Sequence, residues 1–322
     1  MPTEWSFPAE LQPNPQDVGF DLDAALDSVV ALRAEIPEDA FTAALLGTER
    51  AGHGVAIGND GLLLTIGYLI TEASTIWLST NRGAVVAGHI VAYDQWTGLG
   101  LVQALGRLGV RGLERGSSAN CSIDDDVIVA GHGGRRHALK ASVFAKREFA
   151  GYWEYLLEEA IFTAPAHPHW GGTALIGGDG RLLGIGSLLI EEKHDGETLQ
   201  GNMVVPIDLL EPILDDLLKY GRANRPARPW LGLYTTEVEG HLALAGLAPG
   251  APAEKAGLRV GDLVLEVAGE PVAGLADLFR RIWRLGAAGV EVPLTVARRG
   301  ETLRLRVKSA DRNDFLRKPQ LH

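Results

Sequence analysis

Short apolar runs separated by glycine-containing turns dominate the chain from Phe41 to Val205. Runs such as Leu62–Thr65 and Leu99–Val102 have the length of β-strands and are too short for core helices. Asn59-Asp60-Gly61 stands between two such runs and predicts a hairpin turn, because these residues tolerate positive φ. The runs form two successive sets, the second of which begins near Asp126. The pattern therefore predicts a mainly β fold with a pair of barrels and a cleft between them.

Helical signals flank this region. Asp21 can cap a helix that runs from Leu22 to about Arg33. Pro206 to Tyr220 has helical spacing, and Gly221 can supply a left-handed stop. We therefore divide the chain into an N-terminal arm and helix (1–40), a double barrel (41–221), a Pro- and Arg-containing linker (222–229), a compact C-terminal block (230–310) and a tail (311–322).

Composition excludes several classes of function. The net charge is −11, and residues 1–225 carry 30 Asp and Glu against 16 Lys and Arg, which argues against nucleic acid as a partner. Cys121 is the single cysteine, so no disulfide can form within the chain. No run has the roughly 18 apolar residues of a membrane span, and no signal peptide is recognisable. We expect a cytoplasmic protein, or a periplasmic one if a signal was removed.

Three motifs give the double barrel a specific resemblance. The run Gly52–Tyr68, GHGVAIGNDGLLLTIGY, is similar to the segment that leads into the catalytic His of the HtrA/Deg family of trypsin-like serine proteases. Tyr68 stands at the His station. In Tyr93–Leu101, Gly98 stands where the family has Asp, and in His167–Leu175, Trp170 stands where the family has the nucleophilic Ser. The resemblance covers roughly residues 50–310 and implies a trypsin-like double β-barrel.

The three stations lack the chemistry that serine attack needs. A hydroxyl, a base and an orienting carboxylate must act together, and losing one member of such a triad costs about 10⁴ in rate. Tyr68 has a phenol that is a poor base at neutral pH, Gly98 has no side chain, and Trp170 offers only an N–H donor. The loop before the Gly pair is also one residue shorter than in the family. We therefore expect an inactive homologue of a serine endopeptidase.

Two other uses of the cleft remain open. A relocated nucleophile such as Thr173, with His167 or His169 as base, would keep the protein an active endopeptidase. His167 and His169, or His132 and His137, could alternatively bind a metal ion or another ligand. No carboxylate or cysteine stands at helpful spacing beside them, so we expect no metal site and no cofactor.

The C-terminal block resembles the PDZ domain that follows the protease domain in the same family. Residues 248–262, APGAPAEKAGLRVGD, are highly similar to the family's PDZ core. Trp230-Leu231-Gly232-Leu233 resembles the carboxylate-binding loop, in which a Gly lets backbone N–H groups converge on an anion. The resemblance implies that a peptide C-terminus adds as a strand beside this loop and lies against a helix at Leu275–Leu285. Phe279 and Ile282 are candidate helix-side contacts, with plain core as the alternative.

The resemblance as a whole implies a peptide- or protein-binding role. We expect a pseudoprotease that acts as an adaptor, chaperone-like scaffold or regulator and binds protein C-termini through one PDZ domain. The resemblance also implies a homotrimer built through the barrels. Trp5, Phe7 and Phe20 would then be candidate interface groups, because aromatic side chains favour interfaces, or would pack against their own barrel instead.

Overall fold

Antiparallel strands build most of the protein in the computed structural model, which describes residues 5–194, 197–238 and 240–318, without the side chains of Lys193, His194 and Glu197. The described chain divides into two units. The first contains the residues up to Arg147, Glu159–Asn224 and the residues from Arg317 on. The second contains Glu148–Glu158 and Arg225–Leu316.

Two closed six-stranded barrels form the first unit, as the double set of apolar runs predicts. The first barrel has the strand order β1-β2-β3-β6-β5-β4, and the second has the order β10-β11-β12-β9-β8-β7. The strands of the first barrel are β1 (Val29–Glu35), β2 (Glu49–Ala56), β3 (Leu62–Ile66), β4 (Thr75–Ser79), β5 (Val85–Tyr93) and β6 (Leu99–Ala104). Those of the second are β7 (Asp126–Ala130), β8 (Ala138–Gly151), β9 (Tyr155–Ala164), β10 (Ala174–Ile176), β11 (Leu182–His194) and β12 (Glu197–Pro206).

The barrels are held by apolar interiors and by the predicted turns. Every side chain of β3 is buried, and Cys121 lies in the core of the second barrel with Val129, Ile161 and Leu175. Burying a side chain of this kind contributes about 1.5–3 kcal/mol. Gly61 adopts φ +85° in the turn between β2 and β3, which confirms the hairpin predicted there.

The predicted helix from Leu22 to Arg33 is wrong in its second half. Asp21 does cap a helix by accepting from the amide of Ala24, but α1 spans only Leu22–Asp27. The chain then enters β1, which pairs with β2 and β4 and closes the barrel. The β-branched pair Val29 and Val30 is fully buried there, and strand pairing outweighs the weak helical spacing. The barrel domain therefore begins at Val29 and not at residue 41.

The predicted helix from Pro206 to Tyr220 is also shorter than expected. Pro206 ends β12, a single 3-10 turn spans Ile207–Leu209, and α3 spans only Leu214–Tyr220. Pro212 explains the interruption, because it lacks an N–H and disfavours helical backbone in the residue before it. Gly221 ends the helix at φ +70° as predicted, with its N–H bonded to the carbonyl of Leu217.

The second unit is a β-sheet with two short helices. The sheet order is β13-β14-β15-β17-β18, with β16 paired to β15. Its strands are β13 (Leu233–Val238), β14 (His241–Leu247), β15 (Leu263–Val267), β16 (Glu270–Pro271), β17 (Glu291–Arg298) and β18 (Glu301–Lys308). The short α4 (Pro252–Lys255) and the amphipathic α5 (Leu275–Arg284) accompany it, and one more helical turn in the first unit is α2 (Ala43–Leu46). The predicted mainly β fold class, a double barrel followed by a separate smaller β domain, is confirmed.

The observed units correct the predicted boundaries at three further points. The hairpin tip Glu148–Glu158, placed inside the barrel domain by sequence, belongs to the second unit. That unit begins at Arg225, within the predicted linker, and extends to Leu316, within the predicted tail. Arg317 returns to the first unit, where its N–H donates to Glu72. Among the described residues, no helix has the length and apolar character needed to cross a lipid bilayer.

Candidate functional site

The structure brings the three residues expected at the triad stations, Tyr68, Gly98 and Trp170, together. Tyr68 lies in a 3-10 turn that follows β3 directly, and the amide of its neighbour Gly67 donates to the carbonyl of Gly98 at 2.7 Å. The Tyr68 hydroxyl donates to the carbonyl of Ser187 at 2.9 Å and is hydrogen-bonded by the side chain of Trp170. Since an indole can only donate, the phenol oxygen accepts this second bond.

These bonds remove any basic character from Tyr68. Burial raises the pKa of its hydroxyl above the ordinary value near 10, and the bond from Trp170 offsets only part of that rise. The hydroxyl stays protonated at neutral pH, and its single proton is committed to a backbone carbonyl. Tyr68 is therefore not placed to take a proton from a nucleophile.

Gly98 occupies a tight turn between β5 and β6. Its φ is +78°, a left-handed conformation that favours glycine, and its N–H donates to the carbonyl of Asp94. The carboxylate of Asp94, close by in sequence, accepts from both the amide and the hydroxyl of Thr97 at 2.9 Å. The Asp94 carboxylate therefore stabilises its own turn. A triad would need at this station a carboxylate that orients an imidazole.

The nucleophile loop is bonded internally. The amide of Gly172 donates to the carbonyl of Gly186, and the amide of Thr173 donates to the carbonyl of Trp170. Gly171 presents its carbonyl to the amide of His53 at 2.8 Å. The oxyanion hole of a trypsin-like site uses the backbone N–H groups of the nucleophile and of the residue two positions before it. Here Pro168 stands two positions before Trp170, and proline has no N–H to donate.

Thr173, the candidate relocated nucleophile, is fully buried. Its hydroxyl donates to the carbonyl of Trp170 at 2.9 Å and not to an imidazole. A hydroxyl needs a base as its hydrogen-bond partner to become a nucleophile. The structure thus gives Thr173 a role in holding the loop.

A pair of buried imidazoles fills the region beside this loop, and sequence reasoning missed one of them. His53 accepts from the amide of His132 through Nδ1 at 3.0 Å, and its Nε2 lies 3.1 Å from the carbonyl of His169. His167 accepts from the amide of His169 through Nδ1, and its Nε2 lies 3.1 Å from the carbonyl of His137. The sequence feature that could have pointed to His53 is that a polar residue stands between two glycines in a strand that is otherwise largely buried.

The imidazoles are kept neutral by burial. Desolvation lowers the pKa of His53 to about 3 and that of His167 to about 4, with neighbouring histidines adding to the effect. Both ring nitrogens of each side chain face backbone groups, so no lone pair is left for a metal ion. Within the described residues, no group of three or more His, Cys, Asp or Glu is placed to hold a metal.

The aromatic residues of the N-terminal arm pack on their own barrel. Trp5 lies against His137 at 4.6 Å between ring centroids and Phe7 against His167 at 5.1 Å. Phe20 lies close to Gly180, where an added Cβ would come within 2.5 Å of its ring. The arm thus covers the histidine pair, which is the alternative given above for these side chains.

The loop predicted to bind a carboxylate does hold one, supplied by the protein itself. The amides of Leu231, Gly232 and Leu233 donate to Glu154 Oε1 at 3.2, 2.6 and 2.9 Å, and that of Leu231 also lies 3.0 Å from Oε2. Gly232 has φ +81°, and an added Cβ would lie 2.3 Å from the Cβ of Ala251. Only glycine fits this point of the loop.

The remaining predicted groove residues are part of the core. Phe279 and Ile282 are 0% and 1% exposed and share an apolar cluster with Leu233. The backbone of Trp230 pairs with Ala310, and its ring packs against Phe315 at 4.9 Å. Glu154, which sequence reasoning missed, is an acidic residue among aromatic ones in the hairpin Gly151–Tyr155.

Burial dominates the electrostatics of Glu154. It raises the pKa of the carboxyl to about 7, against the lowering effects of the three donating amides and of Arg312. The ionised carboxylate therefore loses more free energy on leaving water than it gains from the three amides and Arg312.

Known protein families match both units. Residues 52–185 match the trypsin-like peptidase domain, and residues 245–298 match the PDZ domain. The chain is also similar to serine endoproteases of the DegP and DegS types. A probable periplasmic serine endoprotease, DegP-like, of Halomonas elongata is 26% identical over 273 residues, covering 81% of this chain and 56% of that protein. The serine endoprotease DegS of Escherichia coli is 24% identical over 275 residues, covering 80% of this chain and 75% of DegS.

Solved structures show the same fold. The HtrA-type protease AlgW with a tripeptide matches at a TM-score of 0.52 and 19% identity, covering 94% of this chain and 99% of that one. The serine endoprotease from Yersinia pestis matches at a TM-score of 0.52, also at 19% identity, covering 91% and 99%. The chain spans about half the length of the DegP-like relatives it matches.

Proposed function

We propose that this HtrA-type chain is proteolytically inactive and binds protein or peptide C-termini through its PDZ domain. The observation that carries the first part is the hydrogen-bonded pair of Tyr68 and Trp170. The hydroxyl of Tyr68, at the base station, donates to the carbonyl of Ser187 and accepts from the side chain of Trp170, at the nucleophile station. Catalysis would need a base and a nucleophile in these places.

The binding part of the proposal rests on the loop Leu231–Leu233. Its three amides converge on one carboxylate oxygen, which is the geometry that a peptide C-terminus requires. The adjacent β13 and α5 would supply main-chain pairing and an apolar wall. An adaptor, chaperone-like scaffold or regulator would use such a site to hold a client or partner without cutting it.

The relatives are named serine endoproteases, so retained proteolysis is the competing function. Incubation with an unfolded protein substrate and a fluorophosphonate probe separates the two. We expect neither cleavage nor labelling, with DegS as the positive control. Covalent labelling of any Ser or Thr that disappears on denaturation would overturn the proposal of inactivity.

Peptide binding is tested with paired ligands. We expect a peptide with a free apolar C-terminal residue to bind and its amidated version to bind much more weakly, because the amide loses the charge-assisted bonds. Equal binding of the two forms would contradict the role of the loop.

The proposal also includes the cellular compartment and the oligomeric state of the chain. DegP-like relatives are named periplasmic, which supports the periplasmic alternative over the cytoplasmic expectation, and we propose that compartment for this chain. A homotrimer built through the barrels stays a prediction. Sedimentation at several protein concentrations tests it, and a monomer at all of them would refute it.

A further inference from the structure

A side chain of the protein occupies the loop in which a ligand carboxylate would bind. Glu154 accepts from the amides of Leu231, Gly232 and Leu233 and is partly buried in the second unit. Bonds of this charge-assisted kind are about twice as strong as neutral ones. A peptide carboxylate would need the same three donors, so the two carboxylates exclude each other.

The main chain of the hairpin pairs with the groove strand. The amide of Thr235, on β13, donates to the carbonyl of Tyr152 at 3.1 Å. Tyr152 lies two residues before Glu154, and Thr235 lies two residues after Leu233. This period of two is the spacing with which an extended peptide adds to the edge of a sheet. The hairpin thus imitates both the carboxylate and the backbone of a bound peptide.

The helix side of the groove also contacts the hairpin. Arg280 of α5 forms ion pairs with Glu148 and Glu158, one on each side of the hairpin tip. Leu156 is 5% exposed and belongs to the apolar cluster of Leu233 and Phe279. The hairpin therefore uses the loop, the strand and the helix, which are the three surfaces proposed above for a peptide.

We propose that Glu148–Glu158 is an internal ligand of the PDZ domain, and that a protein C-terminus binds the loop Leu231–Leu233 only after Glu154 leaves it. This inference rests on the proposed peptide-binding function. The backbone of Glu154 has φ +61°, which is unfavourable for a residue with a side chain. This backbone cost favours displacement of Glu154 by a peptide, which does not carry it.

Removing the internal carboxylate should increase the affinity for peptide. Apparent affinity equals intrinsic affinity scaled by the fraction of protein with an open loop. For the full chain we expect Glu154→Ala to bind a fluorescein-labelled peptide with a free C-terminal valine at least about tenfold more tightly than wild type. Glu154→Gln, which keeps a weaker acceptor, should give a smaller increase. The exposed Glu301→Gln on β18 is the matched control and should bind as wild type does.

A second variant tests the hairpin without touching the loop. Arg280→Ala releases both ion pairs and should also tighten peptide binding, by a smaller factor than Glu154→Ala. Hydrogen exchange gives a readout independent of peptide. The amides of residues 231–233 should be protected in wild type and lose protection in Glu154→Ala, while the amides of β17 keep theirs and report an intact fold.

The outcomes separate this inference from the proposed function. Equal peptide affinity of wild type, Glu154→Ala and Arg280→Ala would overturn the internal ligand and leave peptide binding standing. Binding by none of the proteins would refute the peptide function and with it the competition. In that case, loss of protection at residues 231–233 in Glu154→Ala would still support occupation of the loop, and unchanged protection would overturn that as well.

Discussion

Glu154 Oε1 lies 2.6 Å from the amide nitrogen of Gly232, and the amide of Leu233 donates to the same oxygen at 2.9 Å. Anion binding by this loop is therefore a property of its backbone, since no side chain of Leu231–Leu233 takes part. The first prediction follows from that backbone.

Gly232→Ala should destabilise the second unit and weaken carboxylate binding. The added methyl group would lie 2.3 Å from the Cβ of Ala251, on a backbone at φ +81°. Gly257→Ala is the matched control, because Gly257 has φ +86° but no atom within 4 Å of the added methyl group. We expect about 1 kcal/mol for the control from backbone strain alone and 2–4 kcal/mol for Gly232→Ala, measured by chemical denaturation. Equal losses of unfolding free energy in the two variants would contradict the predicted steric clash with Ala251.

Tyr68→Phe should reduce stability without changing any enzymatic activity. It leaves the carbonyl of Ser187 without its hydroxyl donor and the indole of Trp170 without an acceptor. A loss of about 1–3 kcal/mol in the free energy of unfolding is expected. Tyr220→Phe, at a ring that is 54% exposed, should be neutral. A Tyr68→Phe protein as stable as wild type would show that the pair does not hold the cleft together.

Placing His, Asp and Ser at positions 68, 98 and 170 should not by itself produce serine-protease activity at position 170. The triple variant Tyr68→His, Gly98→Asp, Trp170→Ser supplies the side chains, but Pro168, two residues before position 170, still offers no N–H to an oxyanion. Without converging amides the oxyanion stays unstabilised, which alone costs about 10²–10³ in rate for each missing donor. Fluorophosphonate labelling at position 170 measures the outcome, and rapid labelling there would contradict this account of the loop.

Acid should destabilise the first unit through its buried histidines. The pKa of His53 is lowered to about 3 and that of His167 to about 4, from an ordinary value near 6.5. Below pH 6.5 the unfolded chain binds protons that the folded chain does not. Stability is therefore complete above pH 6.5 and is lost as the pH falls toward the folded values, by about 1.4 kcal/mol per pH unit for each imidazole.

Denaturation curves at pH 7.5 and 5.5 check this slope. His53→Gln should have a smaller slope than wild type, and the exposed His241→Gln should keep the wild-type slope. If the free energy of unfolding of the first unit does not change between these pH values, the histidines are not held neutral by burial.

Predictions from local pattern succeeded where a residue type dictates its own backbone. The hairpin at Gly61, the cap at Asp21 and the helix stop at Gly221 all appear where expected. Predictions failed where partners distant in sequence decide the conformation. Val29–Glu35 forms a strand because it pairs with β2 on one side and with β4 on the other. Hydrogen bonds on both sides outweigh the weak helical preference of so short a segment.

The sequence by itself determined the double barrel and the PDZ domain, because strand periodicity, turn glycines and residue identity are local properties. Tertiary structure alone decided which groups contact Tyr68, His53 and the loop Leu231–Leu233. Tyr68 bonds across 119 residues to Ser187, His53 bonds across 116 residues to His169, and Glu154 reaches the amide of Gly232 across 78 residues. No pattern within a segment encodes such pairs, since they form only when the fold places a buried donor opposite an acceptor and removes water from both.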